Sequence, residues 1–331
     1  MDRADVLLVS LGSTAGLRAV DDELAASLER AGARVAHVRA APQPAVRTLA
    51  YTDLRWALAA RRAAVRGLAD HRPRAIIYST TTAALLWPRP GAIRFDALAA
   101  RTRPGRHGVW QRPLERRRLR RAPLLVPQDA GSLEGAPAGL ATPSIAVPVP
   151  VEPAGLGEPW ALRDVAAVTY AADPEKKGLD RVLAAWSMAR RDDEVLVVAG
   201  LDHDRLPEPP PGVLVAGRLA RDDYRALLLR ARLFVIAPRR EDHGVAQLEA
   251  LADGCVLVTT PAPGPYVALP IARALDPRLV TDDLVPAIRA ALDDPAPRYQ
   301  ERAIPLLAPF TRSAVDRVVA DELLGALLGA G

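Results

Sequence analysis

The sequence predicts an α/β protein built from two consecutive parallel-sheet domains. Three observations carry that expectation. Short apolar runs rich in Val, Ile and Leu alternate with longer helical patterns, the signature of parallel sheets covered by helices. A proline-rich stretch, Ala-Thr-Pro-Ser-Ile-Ala-Val-Pro-Val-Pro-Val-Glu-Pro over 141–153, interrupts the alternation near the middle, and the pattern then restarts. The length of 331 residues exceeds one ordinary core and suits two domains.

In the first half, strand-like 6–10 leads into a helical pattern at 19–31, strand-like 35–38 into a helix at 52–70, and further apolar runs stand at 75–78 and 124–127. After the proline-rich linker come strand 165–170, helix 179–190, strand 195–200, strand 213–216, helix 222–231, strand 233–237, helix 245–253 and strand 256–259. Two Rossmann-like halves therefore follow one another, spanning 1–148 and 153–310, with ligand expected in a cleft between them at the carboxyl ends of the strands. A final helix, 312–328, follows the Pro309-Phe310 break and is expected to cross back to the first domain.

Composition narrows the function. Half the residues are apolar but only 4 % are aromatic, so the core is mostly Ala, Leu and Val. A formal charge of +5 favours anionic partners without choosing among them. The single cysteine, Cys255, excludes an internal disulfide and a Cys-rich metal site, as suits a reducing cytoplasm. No apolar run approaches a membrane span, and the chain enters Val6-Leu7-Leu8-Val9 with no signal-peptide pattern. A cytoplasmic protein is expected.

All but two of the 44 basic residues are arginine, and the two lysines stand together in Asp173-Pro174-Glu175-Lys176-Lys177-Gly178. Lysine offers a compact, rotatable point charge where arginine offers a planar fork, which suits a phosphate. Further on, Glu241-Asp242-His243-Gly244-Val245-Ala246-Gln247-Leu248-Glu249 places two carboxylates around a glycine at an expected helix start. A helix opening near Gly244 presents unpaired backbone N–H groups and the positive end of its dipole to a diphosphate. Gly244 allows close approach, beside His243 and Val245. Val245, Leu248 and Ala252 form the expected packed stripe, leaving Glu249 at its edge.

These segments, in this order, resemble the donor domain of glycosyltransferase family 4, retaining enzymes with the GT-B fold. Three features carry the resemblance: Lys177-Gly178-Leu179-Asp180 before a helix; Val195 to Gly200 leading to Val215-Ala216-Gly217-Arg218; and Glu241-x7-Glu249 continued by Ala250-Leu251-Ala252-Asp253-Gly254. The resemblance implies two Rossmann-like domains facing each other across a cleft. It implies that Lys177, with Lys176, Gly178 and Arg218 nearby, holds the diphosphate of a nucleotide sugar, that Glu249 takes the ribose and that Glu241 takes hydroxyls of the transferred sugar. No metal or other cofactor is implied, and the acceptor is expected to be an envelope glycan or a lipid-linked molecule. The alternatives are a nucleotide-sugar-binding pseudoenzyme and a GT-B epimerase or phosphorylase. The sequence departs from the family at three places. Its usual Arg before the Lys is missing from Val168-Thr169-Tyr170-Ala171-Ala172; Gly254-Cys255-Val256 replaces Gly-Thr-Pro; and Pro263-Gly264-Pro265-Tyr266 lacks a late carboxylate. A second phosphate cation is therefore absent, or comes from Lys176 or an arginine.

In the first half, Gly12-Ser13-Thr14-Ala15-Gly16 lies between a strand and a helix, so Gly12 and Gly16 are candidates to face donor phosphates or acceptor. Asp96, closing Ala92-Ile93-Arg94-Phe95, is the acceptor-side candidate, and His107 a loop histidine of weaker claim. Asp202-His203-Asp204 spells a metal-nucleotide motif but sits in a short turn, where such sequences arise readily. The basic run Arg116 to Arg121 and the series Arg55, Arg62, Arg66, on a helix whose apolar stripe is expected to be Leu54, Leu58, Val65 and Leu68, are read either as an ordinary solvated face or as peripheral contact with an anionic membrane, at the inner face of the plasma membrane; Arg61, falling on the apolar stripe, speaks against insertion. Nucleic acid is not an expected partner, because no aromatic platform or recognition helix accompanies the charge.

Overall fold

The computed structural model describes residues 3–44, 46, 48–155, 157 and 159–329. The chain divides into two compact units, Met1–Pro150 with Arg312–Gly331, and Val151–Thr311.

The first unit runs β1 (Val6–Ser10), α1 (Ala15–Arg30), β2 (Val35–Arg39), α2 (Leu49–His71), β3 (Ala75–Tyr78), α3 (Thr81–Ala84), β4 (Ala92–Phe95), α4 (Ala99–Thr102), α5 (Gln111–Arg121) and β5 (Leu125–Pro127). Its described strands form a parallel sheet in the order β2-β1-β3-β4-β5. Because both faces are covered, each strand is a continuous apolar run and not an alternating one. Leu7 and Val9 pack on one face with alanines of α2, while Val6 and Leu8 pack on the other with Leu24 and Leu28 of α1. Threonine begins three of the helices: the hydroxyls of Thr14, Thr48 and Thr80 accept from the N–H groups of Leu17, Tyr51 and Ala83, satisfying donors that the first turn leaves open.

The expected linker does more than join units. Ile145 and Val147 donate their N–H groups to Leu125 and Pro127, so this stretch runs beside β5 as an extended edge, where proline is tolerated.

The second unit runs β6 (Val165–Tyr170), α6 (Leu179–Ala189), β7 (Leu196–Ala199), β8 (Val213–Gly217), α7 (Arg221–Arg230), β9 (Ala231–Ile236), α8 (Val245–Ala252), β10 (Val256–Thr259), α9 (Ala268–Leu275), α10 (Leu284–Asp293) and α11 (Tyr299–Leu307). Its described strands make a second parallel sheet, β10-β9-β6-β7-β8. Leu179, Val182 and Trp186 form the inward stripe of α6, and the indole N–H of Trp186 is satisfied by the Gly212 carbonyl at 3.0 Å.

The chain then returns to the first unit as α12 (Arg312–Val318), a π turn over Val319–Leu323, and α13 (Leu324–Gly329). Val315, Val319, Leu323 and Leu327 recur every fourth residue and all are buried beside Leu24 and Leu28. A strict four-residue repeat drifts around a straight α-helix, and the wider π turn returns it to the same face.

One expected helix face is overturned in part: Leu68 packs against the core as expected, but Leu58 and Val65 do not. In α2 the buried residues include Ala57, Ala60, Ala63, Ala64 and Gly67, whereas Leu58 and Val65 are 39 % and 48 % exposed. The close approach of helix to sheet explains the reversal: a Cβ on Gly67 would lie 2.8 Å from Leu7 Cδ1, so only small residues fit inward.

Candidate functional site

In the second sheet β6 connects to β7 in one direction, while β9 lies on the other side of β6. The order reverses between β6 and β9, and in open parallel sheets ligands bind outside the carboxyl ends of the strands at such a point. The loops leaving these two strands carry Lys176-Lys177-Gly178 and Glu241 to Gly244.

The two loops are fastened together by backbone. Arg239 N–H of the second loop donates to the Lys176 carbonyl of the first at 2.9 Å, and within the first loop Lys177 N–H donates to the Asp173 carbonyl at 2.9 Å. The Arg239 guanidinium adds a fork to the Asp180 carboxylate at 2.8 and 2.7 Å. Gly178 opens α6 in the left-handed region, φ 65°, and a Cβ there would stand 1.9 Å from the Ala237 carbonyl oxygen. Only glycine allows that approach.

This fastening sets two Lys–carboxylate pairs side by side. Lys177 Nζ lies 2.6 Å from Glu241 Oε2 and Lys176 Nζ lies 2.7 Å from Asp242 Oδ2. Glu241 is only 3 % exposed, and the same Oε2 accepts from Gln247 Nε2 at 2.8 Å. Its backbone is clamped as well: its N–H donates to Pro263 at 3.1 Å, and a Cβ on Gly264 would meet its carbonyl oxygen at 2.0 Å. Where the sequence lacks the late carboxylate, Tyr266 fills the space, 1 % exposed, with its hydroxyl 2.5 Å from Thr259 Oγ1. Asp242 also accepts from Arg240 Nε at 2.8 Å. Burial would push the Asp242 carboxyl up, but Lys176 and Arg240 together hold it below the ordinary carboxylate range.

Helix α8 starts at Gly244, φ 90°, with no side-chain cap, so its first-turn N–H groups remain available. Val245 is half-buried there. The His243 ring is buried edge-on to Phe310, 6.4 Å between centroids, and its carbonyl accepts from Val267 N–H. The packed stripe of α8 is wider than expected: Gln247, Leu248, Ala250 and Leu251 are all buried. Glu249, expected at its edge, is 8 % exposed and ion-paired with Arg221 at 3.3 Å and Arg225 at 3.6 Å. Burial raises the Glu249 carboxyl above its ordinary value, against the pull of Arg225 and Arg221 and with a push from Asp253. Arg225 in turn forks onto Asp253 at 2.6 and 2.7 Å. Tyr170 and Tyr224 lie nearby, their rings tilted by 56° with centroids 5.5 Å apart.

Lys176, Lys177, Gly178, Glu241, His243, Gly244, Val245 and Glu249 thus belong to one unit, and the first six sit in the two fastened loops. Arg218, beyond the end of β8, is exposed and pairs with Asp202 at 2.6 Å. That pairing engages the first carboxylate of the Asp-x-Asp sequence, and no group of three metal-ligating side chains occurs among the described residues. Gly12, Gly16 and Asp96 belong to the first unit. Gly12, φ 60°, follows β1 and its carbonyl accepts from Arg18 at 2.8 Å. Gly16 lies in the first turn of α1 with open space at its α-carbon. Asp96 follows β4, half-buried, with Oδ1 accepting from Ala97 N–H at 2.8 Å. His107 is exposed in a single 3-10 turn.

Sequence reasoning missed Arg221, Arg225, Arg239, Arg240, Asp242 and Gln247. A signal existed for the first two: they stand four apart on one helix, hence on one face, just ahead of the strand that delivers Glu241.

Residues 164–294 match the family described as glycosyl transferases group 1. No curated protein matches the sequence. Among solved structures, the sucrose-phosphate synthase of Thermosynechococcus elongatus is similar at 14 % identity and TM-score 0.78, over 99 % of this chain and 100 % of that one. WaaG, a glycosyltransferase involved in lipopolysaccharide biosynthesis, is similar at 14 % identity and TM-score 0.70, over 98 % and 100 %. HepE of Anabaena, in complex with UDP and glucose, is similar at 14 % identity and TM-score 0.68, over 97 % and 99 %. Two five-stranded parallel sheets, each covered by helices, are those of the GT-B fold, and the second unit carries the match to the group 1 glycosyltransferases.

Proposed function

We propose that this glycosyltransferase, of the family 4 type, moves a sugar from a nucleotide diphosphate sugar to its acceptor with retention of configuration and without a metal ion. The observation that carries the reading is the meeting of Lys177 with Glu241 at 2.6 Å, where the strand order reverses and beside the uncapped start of α8. An ammonium has three donors. One holds the sugar-binding carboxylate in place, and the others remain for a diphosphate oxygen.

The N–H groups at Gly244 and Val245 meet the same diphosphate along the positive end of the helix. As the glycosidic bond breaks, negative charge grows on the departing phosphate, and fixed cation and amide dipoles stabilise it without reorganising. Lys176 and Arg240, sharing Asp242, contribute a longer-range positive field. Glu249, fixed by Arg221 and Arg225, accepts from ribose hydroxyls, and the tyrosine pair beside it gives the nucleoside an apolar wall. Glu241 accepts from hydroxyls of the transferred sugar. Gly12, Gly16 and Asp96 serve the acceptor side, and the acceptor is an envelope glycan or a lipid-linked molecule reached from the cytoplasm.

The test is a thermal-shift screen with UDP, GDP and ADP and their sugars, with and without chelator, followed by transfer or hydrolysis of the donor that binds. One nucleotide diphosphate series should stabilise the protein, and turnover should survive chelation. Stabilisation that needs Mg or Mn, abolished by Asp202→Ala, would overturn the metal-free assignment. Binding without transfer or hydrolysis would reduce the protein to a nucleotide-sugar binder.

A further inference from the structure

Helix α2 is inverted relative to an ordinary surface helix. Alanines face the sheet, while Tyr51, Leu58 and Val65 are 53 %, 39 % and 48 % exposed. These three recur every seventh residue and so lie along one line of the helix. At 100° per residue, Arg55, Arg62 and Arg66 fall along one side of that line and Arg61 along the other. Between them lies a shallow hollow of about 400 Å³, lined by Leu58, Val65, Arg61, Arg62 and Arg66.

The charge on this face is balanced only in part. Helix α2 carries two carboxylates against four arginines: Asp53 is buried and forked by Arg103 at 2.7 and 3.1 Å, and the exposed Asp70, four residues after Arg66, makes no ion pair with it among the described contacts. Elsewhere in the unit arginines meet carboxylates, as in Arg30 with Asp316 and Arg34 with Asp5. Among the described residues, Arg61, Arg62 and Arg66 have no carboxylate within 4.0 Å, and neither do Arg117, Arg118 and Arg121 of α5.

The two cationic helices form one surface. Arg61 donates to the carbonyl of Leu86 at 3.0 Å, and Arg118 donates to that of Leu85 at 2.8 Å while lying 4.9 Å over Trp87. Burial, then repulsion from Arg117, Arg121 and Arg61, holds the Arg118 guanidinium below its usual value. A solvated basic face would not need the larger apolar side chains turned outward. A nucleic-acid phosphate row would leave them uncovered. An anionic lipid surface takes both features, with apolar side chains at the acyl boundary and guanidinium groups among the phosphates.

We propose that the outer face of α2, continued by α5, lies against the surface of an anionic lipid bilayer. Contact is reversible, because three modest apolar side chains cannot hold a protein there without the charge.

Flotation with vesicles tests this. The whole protein should float with vesicles of equal parts phosphatidylcholine and phosphatidylglycerol, stay behind with phosphatidylcholine alone, and be released by high salt. Arg62→Gln with Arg66→Gln should lower the partition about fivefold per charge removed. Leu58→Ser with Val65→Ser, keeping every arginine, should also lower it, while Arg317→Gln on exposed α12 should not. Thermal melts confirm that each variant, altered only at exposed positions, is folded. Failure to float with anionic vesicles overturns the proposal. So does binding that ignores Leu58→Ser with Val65→Ser, or that duplex DNA abolishes through the same arginines, since either points to a purely electrostatic polyanion site.

Discussion

Replacing Lys177 by alanine has two consequences that the structure allows to be separated. The first concerns the fold. Glu241, 3 % exposed, would keep only the Gln247 amide at 2.8 Å, leaving a buried carboxylate without its counter-ion. Removing one partner of a buried pair costs about 3–5 kcal/mol. The Lys177 side chain keeps 15 % of its exposure, which places the loss near the lower end, about 3 kcal/mol. The second consequence concerns the ligand. A hydrogen bond from an ammonium to a phosphate oxygen contributes about 1.5–3 kcal/mol, or about 10- to 150-fold in Kd.

The double variant Lys177→Ala/Glu241→Gln divides the two. A neutral amide needs no counter-ion, so most of the lost stability should return, while the nucleotide diphosphate should stay weakly bound. Urea unfolding measures the first quantity and calorimetry with the nucleotide diphosphate the second. If the double variant regains affinity together with stability, Lys177 acts only through the fold. If Lys177→Ala alone binds as tightly as the parent, no phosphate touches this residue. Glu241→Gln by itself releases Lys177 from a carboxylate, so free nucleotide diphosphate should bind as well as before or better while transfer falls.

Glu249→Gln should weaken free nucleotide diphosphate and nucleotide sugar alike, because ribose is common to both; equal nucleotide losses for Glu249→Gln and Glu241→Gln would reject the division of roles. Gly178→Ala places a Cβ 1.9 Å from Ala237 oxygen at φ 65°, so we expect at least about 2 kcal/mol of destabilisation with weakened nucleotide binding, and a variant with parental melting temperature would contradict the packing. Burial raises Asp21 to about 6, against the pull of Arg94 and Ser79, and raises Glu115 to about 7, against Thr81 and the Ala99 N–H. Both folded values lie above the ordinary ones, so these groups favour the folded state at low pH, and that contribution fades as pH climbs from about 4 through about 7. Glu115→Gln should therefore flatten the loss of stability over that window by about 2–3 kcal/mol in urea titrations, and an unchanged pH profile would refute the assignment.

The strands were the most legible part of the fold, since 6–10, 75–78, 165–170 and 256–259 coincide with β1, β3, β6 and β10. A parallel strand covered on both faces must be apolar throughout, so composition over a few residues defines it. Helix faces are harder to read. The assumption that Leu and Val point inward holds for Leu68 but fails for Leu58 and Val65 of α2, where distance to the sheet and not hydrophobicity decides which side chains fit, and no local pattern reports that distance. The motif residues of the second unit were readable one by one, but their partners were not. Lys177 and Glu241 are brought together by the backbone bond from Arg239 to Lys176 and by glycines at Gly178 and Gly264, which act across more than sixty residues of chain.

That fastening also bears on the missing phosphate cation. Pairing 176 with 242 and 177 with 241 commits each lysine to a carboxylate, so neither is a bare charge awaiting a ligand. Asp242, however, is shared between Lys176 and Arg240, and its carboxyl is held below the ordinary range, so it stays ionised with two cations against it. Lys176, Lys177 and Arg240 against Glu241 and Asp242 leave one net positive charge beside the positive end of α8. On the proposed reading, this excess charge, spread over a hydrogen-bonded cluster, stands in for the arginine absent from the end of β6. A spread charge attracts a diphosphate without demanding one fixed fork geometry, and on the same reading it would leave orientation to the backbone N–H groups at Gly244 and Val245.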